Sequence, residues 1–135
     1  MSIKKTFVCA AIAASAFAAQ AQNLAVNGSF EANSVGAGGY ITVNNILGWT
    51  GTPNIEIRNG VAGNAQDANN YVELDTNRNS GIFQSVATGT GWYELSFWFS
   101  PRERVAAGSN GLSYSFGALS GTVAAVQGAP LGNVW

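Results

Sequence analysis

The sequence predicts an all-β protein, two antiparallel sheets packed face to face in a β-sandwich. Three observations carry that prediction. Between Gln22 and Trp135 no apolar residues recur at helical spacing for more than a turn or two. Short runs of alternating apolar and polar residues recur instead, each bounded by turn signals. Seventeen glycines, with many Asn, Ser and Thr, keep those runs short. About eight short strands in one domain suit two sheets that each hide one face. A jelly roll is the leading topology. An immunoglobulin-like sandwich is the alternative, without the cysteine pair such a fold often carries.

The clearest run is Trp92–Phe99. Strand side chains alternate, so Tyr93, Leu95, Phe97 and Phe99 share one face and Trp92, Glu94, Ser96 and Trp98 the other. The first face is expected to be core. The remaining expected strands are Leu24–Val26, Tyr40–Val43, Asn54–Arg58, Tyr71–Leu74, Ile82–Val86, Leu112–Phe116 and Thr122–Val126. Asn59-Gly60 and Asn110-Gly111 accept positive φ and mark turns. Pro53 and Pro101 sit at expected strand boundaries, where a missing N–H costs least.

Residues 1–21 stand apart as a cleavable signal peptide. Lys4 and Lys5 form the positive start, Thr6 to Ala18 the uncharged apolar stretch, and Ala19-Gln20-Ala21 the small-x-small cleavage site. The apolar stretch falls short of the roughly 20 residues that span a bilayer. A lipoprotein reading through Cys9 fails because Phe7-Val8 lacks the small residue needed beside the cysteine. The working protein is therefore residues 22–135, one secreted domain destined for the periplasm, the cell surface or the medium.

Cleavage changes the inventory. The only cysteine leaves, so no disulfide staples the fold. Both lysines leave too, and Arg58, Arg78, Arg102 and Arg104 face seven acidic residues. A mildly acidic chain with scattered arginines offers no electrostatic footprint for nucleic acid or anionic membrane. No second apolar run could span a bilayer. Histidine is absent, which removes the histidine-dependent triads and the commonest zinc ligand.

The stretch Asn23-Leu24-Ala25-Val26-Asn27-Gly28-Ser29-Phe30-Glu31, followed by Gly48-Trp49, resembles the opening of galactose-binding-like jelly rolls, among them several families of carbohydrate-binding modules. The middle of the chain narrows the resemblance. Ile55-Glu56-Ile57, Asn70-Tyr71-Val72-Glu73-Leu74-Asp75, Phe83-Gln84 and Tyr93 to Arg102 are similar to secreted bacterial proteins that often end in a PEP-CTERM sorting tail. Such domains continue past the Asn133-Val134-Trp135 seen here. The resemblance thus implies a jelly roll lacking its last strands and its sorting tail, with an unpaired edge and part of its core uncovered.

Several residues are candidates for function. The resemblance implies a structural calcium site to which Glu31 contributes oxygen ligands, together with acids of a later strand; the ordinary alternative is a solvated Glu at a strand end. Asp75-Thr76-Asn77-Arg78-Asn79-Ser80-Gly81 imitates a calcium loop, but Ser80 stands where Gly is needed and Val86 where a bidentate Glu belongs. It reads as a polar turn. Trp98 and Trp92 share the face away from the expected core, where flat indoles can stack on the C–H faces of sugar rings. Arg58, Arg102 and Asp75 could add hydrogen bonds to sugar hydroxyls. Burial of both tryptophans under loops is the competing reading, and Trp49 is expected to cap the core. Glu73 and Asp75, at i and i+2 on one face of a strand, have a carboxylate spacing of roughly 7 Å that glycoside hydrolysis could use, though alternation often creates such pairs.

The expectation is a non-catalytic secreted module that binds extracellular polysaccharide or cell-surface glycan. A surface or matrix structural protein of the exosortase-sorted kind is the alternative, and a small glycoside hydrolase a more distant one.

Overall fold

A computed structural model of the chain describes residues 22–52, 54–124 and 126–135. The expected export segment, with Cys9, and the boundary residue Pro53 lie outside the described residues, as does Ala125 within the expected strand Thr122–Val126. Described in chain order are β1 (Gly39–Val43), β2 (Thr50–Gly51), β3 (Ile55–Asn59), β4 (Asn70–Glu73), β5 (Ile82–Phe83), β6 (Leu112–Phe116) and β7 (Leu119–Val123). One turn of 3-10 helix at Ala107–Ser109 precedes β6, and no α-helix occurs among the described residues. All pairing is antiparallel. It forms a three-stranded sheet of order β1-β3-β4 and two smaller sheets, β2-β5 and β6-β7. The chain is thus mostly β with antiparallel sheets.

The three-stranded sheet organises the molecule because its central strand, β3, has different chemistry on its two faces. Ile41↔Ile57, Val43↔Ile55 and Ile57↔Val72 are register partners, so the isoleucines of β3 look to one side with β-branched neighbours around them. There Ile46, Ile55 and Ile57 form the buried core, with Phe30, Val35, Trp49, Leu74 and Ile82 packed against it. Each fully buried isoleucine contributes about 1.5–3 kcal/mol over exposure. Trp49 takes the structural place expected of it: its ring lies 5.9 Å from Phe30 and its Nε1–H donates to Asn27 O at 3.1 Å. On the other side, Tyr40↔Arg58↔Tyr71 and Thr42↔Glu56↔Glu73 align as polar rows.

The β6-β7 hairpin closes through a two-residue loop, Gly117-Ala118, between the partners Phe116 and Leu119. Gly117 has φ +58°, the positive value a II′-type loop requires at its first position. Gly60 likewise ends β3 with φ +71°, as Asn59-Gly60 predicts. Asn110-Gly111 does not make a hairpin. Asn110 is buried, and its side chain accepts from Arg102 N–H and donates to the carbonyls of Arg102, Val105 and Val126.

Two expected strands are not formed. Leu24–Val26 joins no ladder; the Gln84 side chain takes the place of a neighbouring strand, accepting from Val26 N–H at 2.8 Å and donating to Val26 O at 2.9 Å. Trp92–Phe99, the strongest alternation in the chain, also joins no ladder among the described residues. Its expected core face does meet apolar side chains, with Phe97–Tyr114 and Tyr93–Phe116 ring centroids 5.5 and 6.4 Å apart. That face stays partly open, however, since Tyr93, Leu95 and Phe97 all remain exposed. The buried core lies instead on β3.

Candidate functional site

Two places collect the chemistry of the chain. The first is the polar face of the three-stranded sheet. Glu56 and Glu73 are direct cross-strand partners, and both are buried. Like charges in that position repel unless a cation stands between them. Arg58, two residues along the same face of β3, supplies it. Its Nη2 lies 2.7 Å and its Nε 2.8 Å from Glu56 Oε2, and its Nη1 lies 2.5 Å from Glu73 Oε2. Arg102 approaches from a later loop, with Nη1 3.1 Å from Glu73 Oε1 and 3.0 Å from the carbonyl oxygen of Asp75.

The energetics of this cluster are uneven. Burial works against the Arg58 cation, but the hydrogen bond to Glu56 and the charges of Glu73 and Glu56 outweigh it and hold its pKa above the ordinary value. At Glu73 burial prevails and pushes the carboxyl up, against the pull of Arg58 and Arg102. Two carboxylates and two guanidinium groups leave the cluster neutral. Trp135 closes over its edge, with its ring 5.7 Å from Tyr71 in an edge-to-face arrangement and its Nε1–H donating to Asn64 O at 2.8 Å.

The second place is the run Trp92–Phe99. Leu95, Phe97 and Phe99 line a groove of about 480 Å³ with Tyr114, Leu119, Thr122 and Val123 of the hairpin. Alternation leaves Trp92, Glu94, Ser96 and Trp98 on the opposite side. All four are exposed. Trp92 is wholly in solvent, and Trp98 is 65 % exposed. Over six residues of extended chain the two indoles stand up to about 20 Å apart.

The residues singled out by the sequence therefore separate. Arg58 and Arg102 come together on Glu73, each through its Nη1. Asp75 enters through its carbonyl oxygen. Trp92 and Trp98 form a separate, exposed pair. Glu31 caps a turn: its carboxylate accepts from Asn69 N–H at 2.9 Å and Asn70 N–H at 2.6 Å. Desolvation opposes its charge, but those backbone donors and the Asn69 side chain outweigh it and hold its pKa below the ordinary carboxylate value. No group of three or more acidic, cysteine or histidine residues among the described residues could hold a metal ion. The loop after β4 behaves as a polar turn, with Ser80 N–H donating to Leu74 O at 2.7 Å.

The residue that sequence reasoning missed is Glu56. The signal is present in Ile55-Glu56-Ile57-Arg58, which puts two charged residues on one face of a strand whose other face is isoleucine. Only the register reveals that Glu73 is its neighbour. Comparison of the chain with protein-family models, with curated proteins and with solved structures gives no match.

Proposed function

We propose that this chain is a secreted, non-catalytic module, a β-sandwich of the galactose-binding-like jelly-roll kind, that binds extracellular polysaccharide or cell-surface glycan. The single observation that supports it is the pair of exposed tryptophans in the Trp92–Phe99 run. Neither indole makes a hydrogen bond or ring contact among the described residues. Leaving two large aromatic faces in water forgoes burial energy, and sugar rings are a partner that stacks on such faces.

The carboxylates argue against hydrolysis. Glu73, which a glycosidase reading would use, is held by two guanidinium groups. A matrix protein without a specific ligand is the second reading, and the half-open apolar groove favours it, since exposed apolar surface suits assembly.

A glycan array probed with the protein and with Trp98→Ala separates the two. The first reading expects binding that falls about five- to tenfold on loss of one stacking ring. Binding that survives unchanged removes Trp98 as the platform. No binding to any glycan favours the matrix reading.

A further inference from the structure

We infer that the glycan taken by the Trp92–Trp98 stripe is an uncharged polysaccharide, and that Glu94 sets this selectivity from between the two indoles. The inference rests on the polysaccharide-binding reading above and names the ligand class of that site. Its basis is the placement of charge. From Gly81 to Pro101 the chain holds one charged residue, Glu94, and the hairpin Leu112–Val123 holds none. Glu94 is exposed, two residues from Trp92 and four from Trp98. It makes no ion pair or hydrogen bond among the described residues.

A sugar polymer lying along this stripe would put ring faces on Trp92 and Trp98 and the hydroxyls between them beside Glu94 and Ser96. A carboxylate accepts hydroxyl hydrogen bonds strongly, because the acceptor is ionised. The same charge repels a uronate or sulfate group. At about 5 Å in water two like charges cost on the order of 1 kcal/mol, and a polyanion brings several within a Debye length. Among the described residues no cation pairs with Glu94 to offset this. Arg58 and Arg102 are turned to Glu73, and Arg104 Nε donates to Pro130 O at 3.0 Å. Arg78 lies on the turn after β4, outside the run.

Affinity electrophoresis tests the assignment in gels containing hydroxyethylcellulose, xylan or galactomannan, and in gels containing alginate, polygalacturonate or dextran sulfate. The expected result is retardation by at least one neutral polymer and by none of the polyanions. Glu94→Lys should weaken the neutral interaction about tenfold and create polyanion binding that fades between about 20 and 150 mM salt, as the Debye length shortens. Glu94→Gln keeps a hydroxyl acceptor, so it should stay within about threefold on the neutral polymer. Glu94 has no ion-pair or hydrogen-bond partner among the described residues, and near-ultraviolet circular dichroism checks that both variants fold. Retardation of the parent protein by a polyanion as strong as by any neutral polymer overturns the inference and leaves the glycan-binding reading standing. Neutral binding that Glu94→Lys does not change also overturns it. No retardation in any gel overturns both.

Discussion

Arg58→Met isolates what the buried charge cluster does for stability. The substitution keeps most of the side-chain volume and removes the cation that touches both carboxylates. Glu56 and Glu73 then face each other with Cβ atoms about 5 Å apart, as cross-strand partners do. At an effective dielectric constant of about 20 the repulsion is about 3 kcal/mol. Arg102 stays on Glu73, but its side chain is 42 % exposed and relieves only part of this. Loss of one partner from a buried ionic group commonly costs about 3–5 kcal/mol, so a value near 3–4 kcal/mol is expected at pH 7. Urea unfolding followed by tryptophan fluorescence would show it. With an m-value of about 1–1.5 kcal/mol/M, the midpoint should fall by about 2–4 M.

The penalty in that variant should also depend on pH in a definite direction. Two carboxylates without a cation between them bind a proton more tightly in the folded chain than in the unfolded one. A folded-state pKa raised in this way favours folding below the unfolded value and loses that contribution as pH rises. The deficit should therefore shrink toward pH 4. Replacing all three residues, as Arg58→Met with Glu56→Gln and Glu73→Gln, should recover most of the loss, since no uncompensated charge remains. A midpoint change below about 0.5 M at pH 7, or an equal deficit at pH 4 and pH 7, would refute the reasoning and make the cluster equivalent to a surface ion pair.

Two further outcomes follow from the core and the capped turn. Ile57→Ala, at a fully buried position of the central strand, should cost about 2–5 kcal/mol in the same unfolding assay. Glu31 has a folded-state pKa below its ordinary 4.5, so its contribution is present above that value and is lost as pH falls through the folded one. Glu31→Gln should make the acid limb of the stability–pH curve shallower, and an unchanged limb would show that the Asn69 and Asn70 amides do not need the charge.

What could be read from the sequence depended on whether the signal was local. Strands β1, β3, β4 and β6 lie where alternation and turn residues put them, because a strand with one apolar face declares itself within a few residues. Trp92–Phe99 shows the limit. Of the side chains its alternation groups together, Leu95, Phe97 and Phe99 do share a groove. Alternation says nothing about whether a neighbouring strand completes the backbone hydrogen bonds, which is a long-range matter. Glu56 shows the same limit from another direction. Its identity was in plain view, but its meaning depends on standing opposite Glu73, and register is set by the whole sheet. Leu24–Val26 failed for a third reason, since a side-chain amide satisfied the groups that a strand would have bonded.

That amide gives residues 26 and 84 very different freedom to change. Gln84 donates to Val26 O and Gly48 O and accepts from Val26 N–H. Only a side chain with both an acceptor and a two-hydrogen donor at that reach can do all three, so Glu, nearly identical in shape, would set a negative charge against two carbonyl oxygens. Val26 takes part through its backbone alone, and its own side chain is 62 % exposed. Sequence drift in descendants of this chain should therefore pass freely through position 26 while position 84 stays an amide.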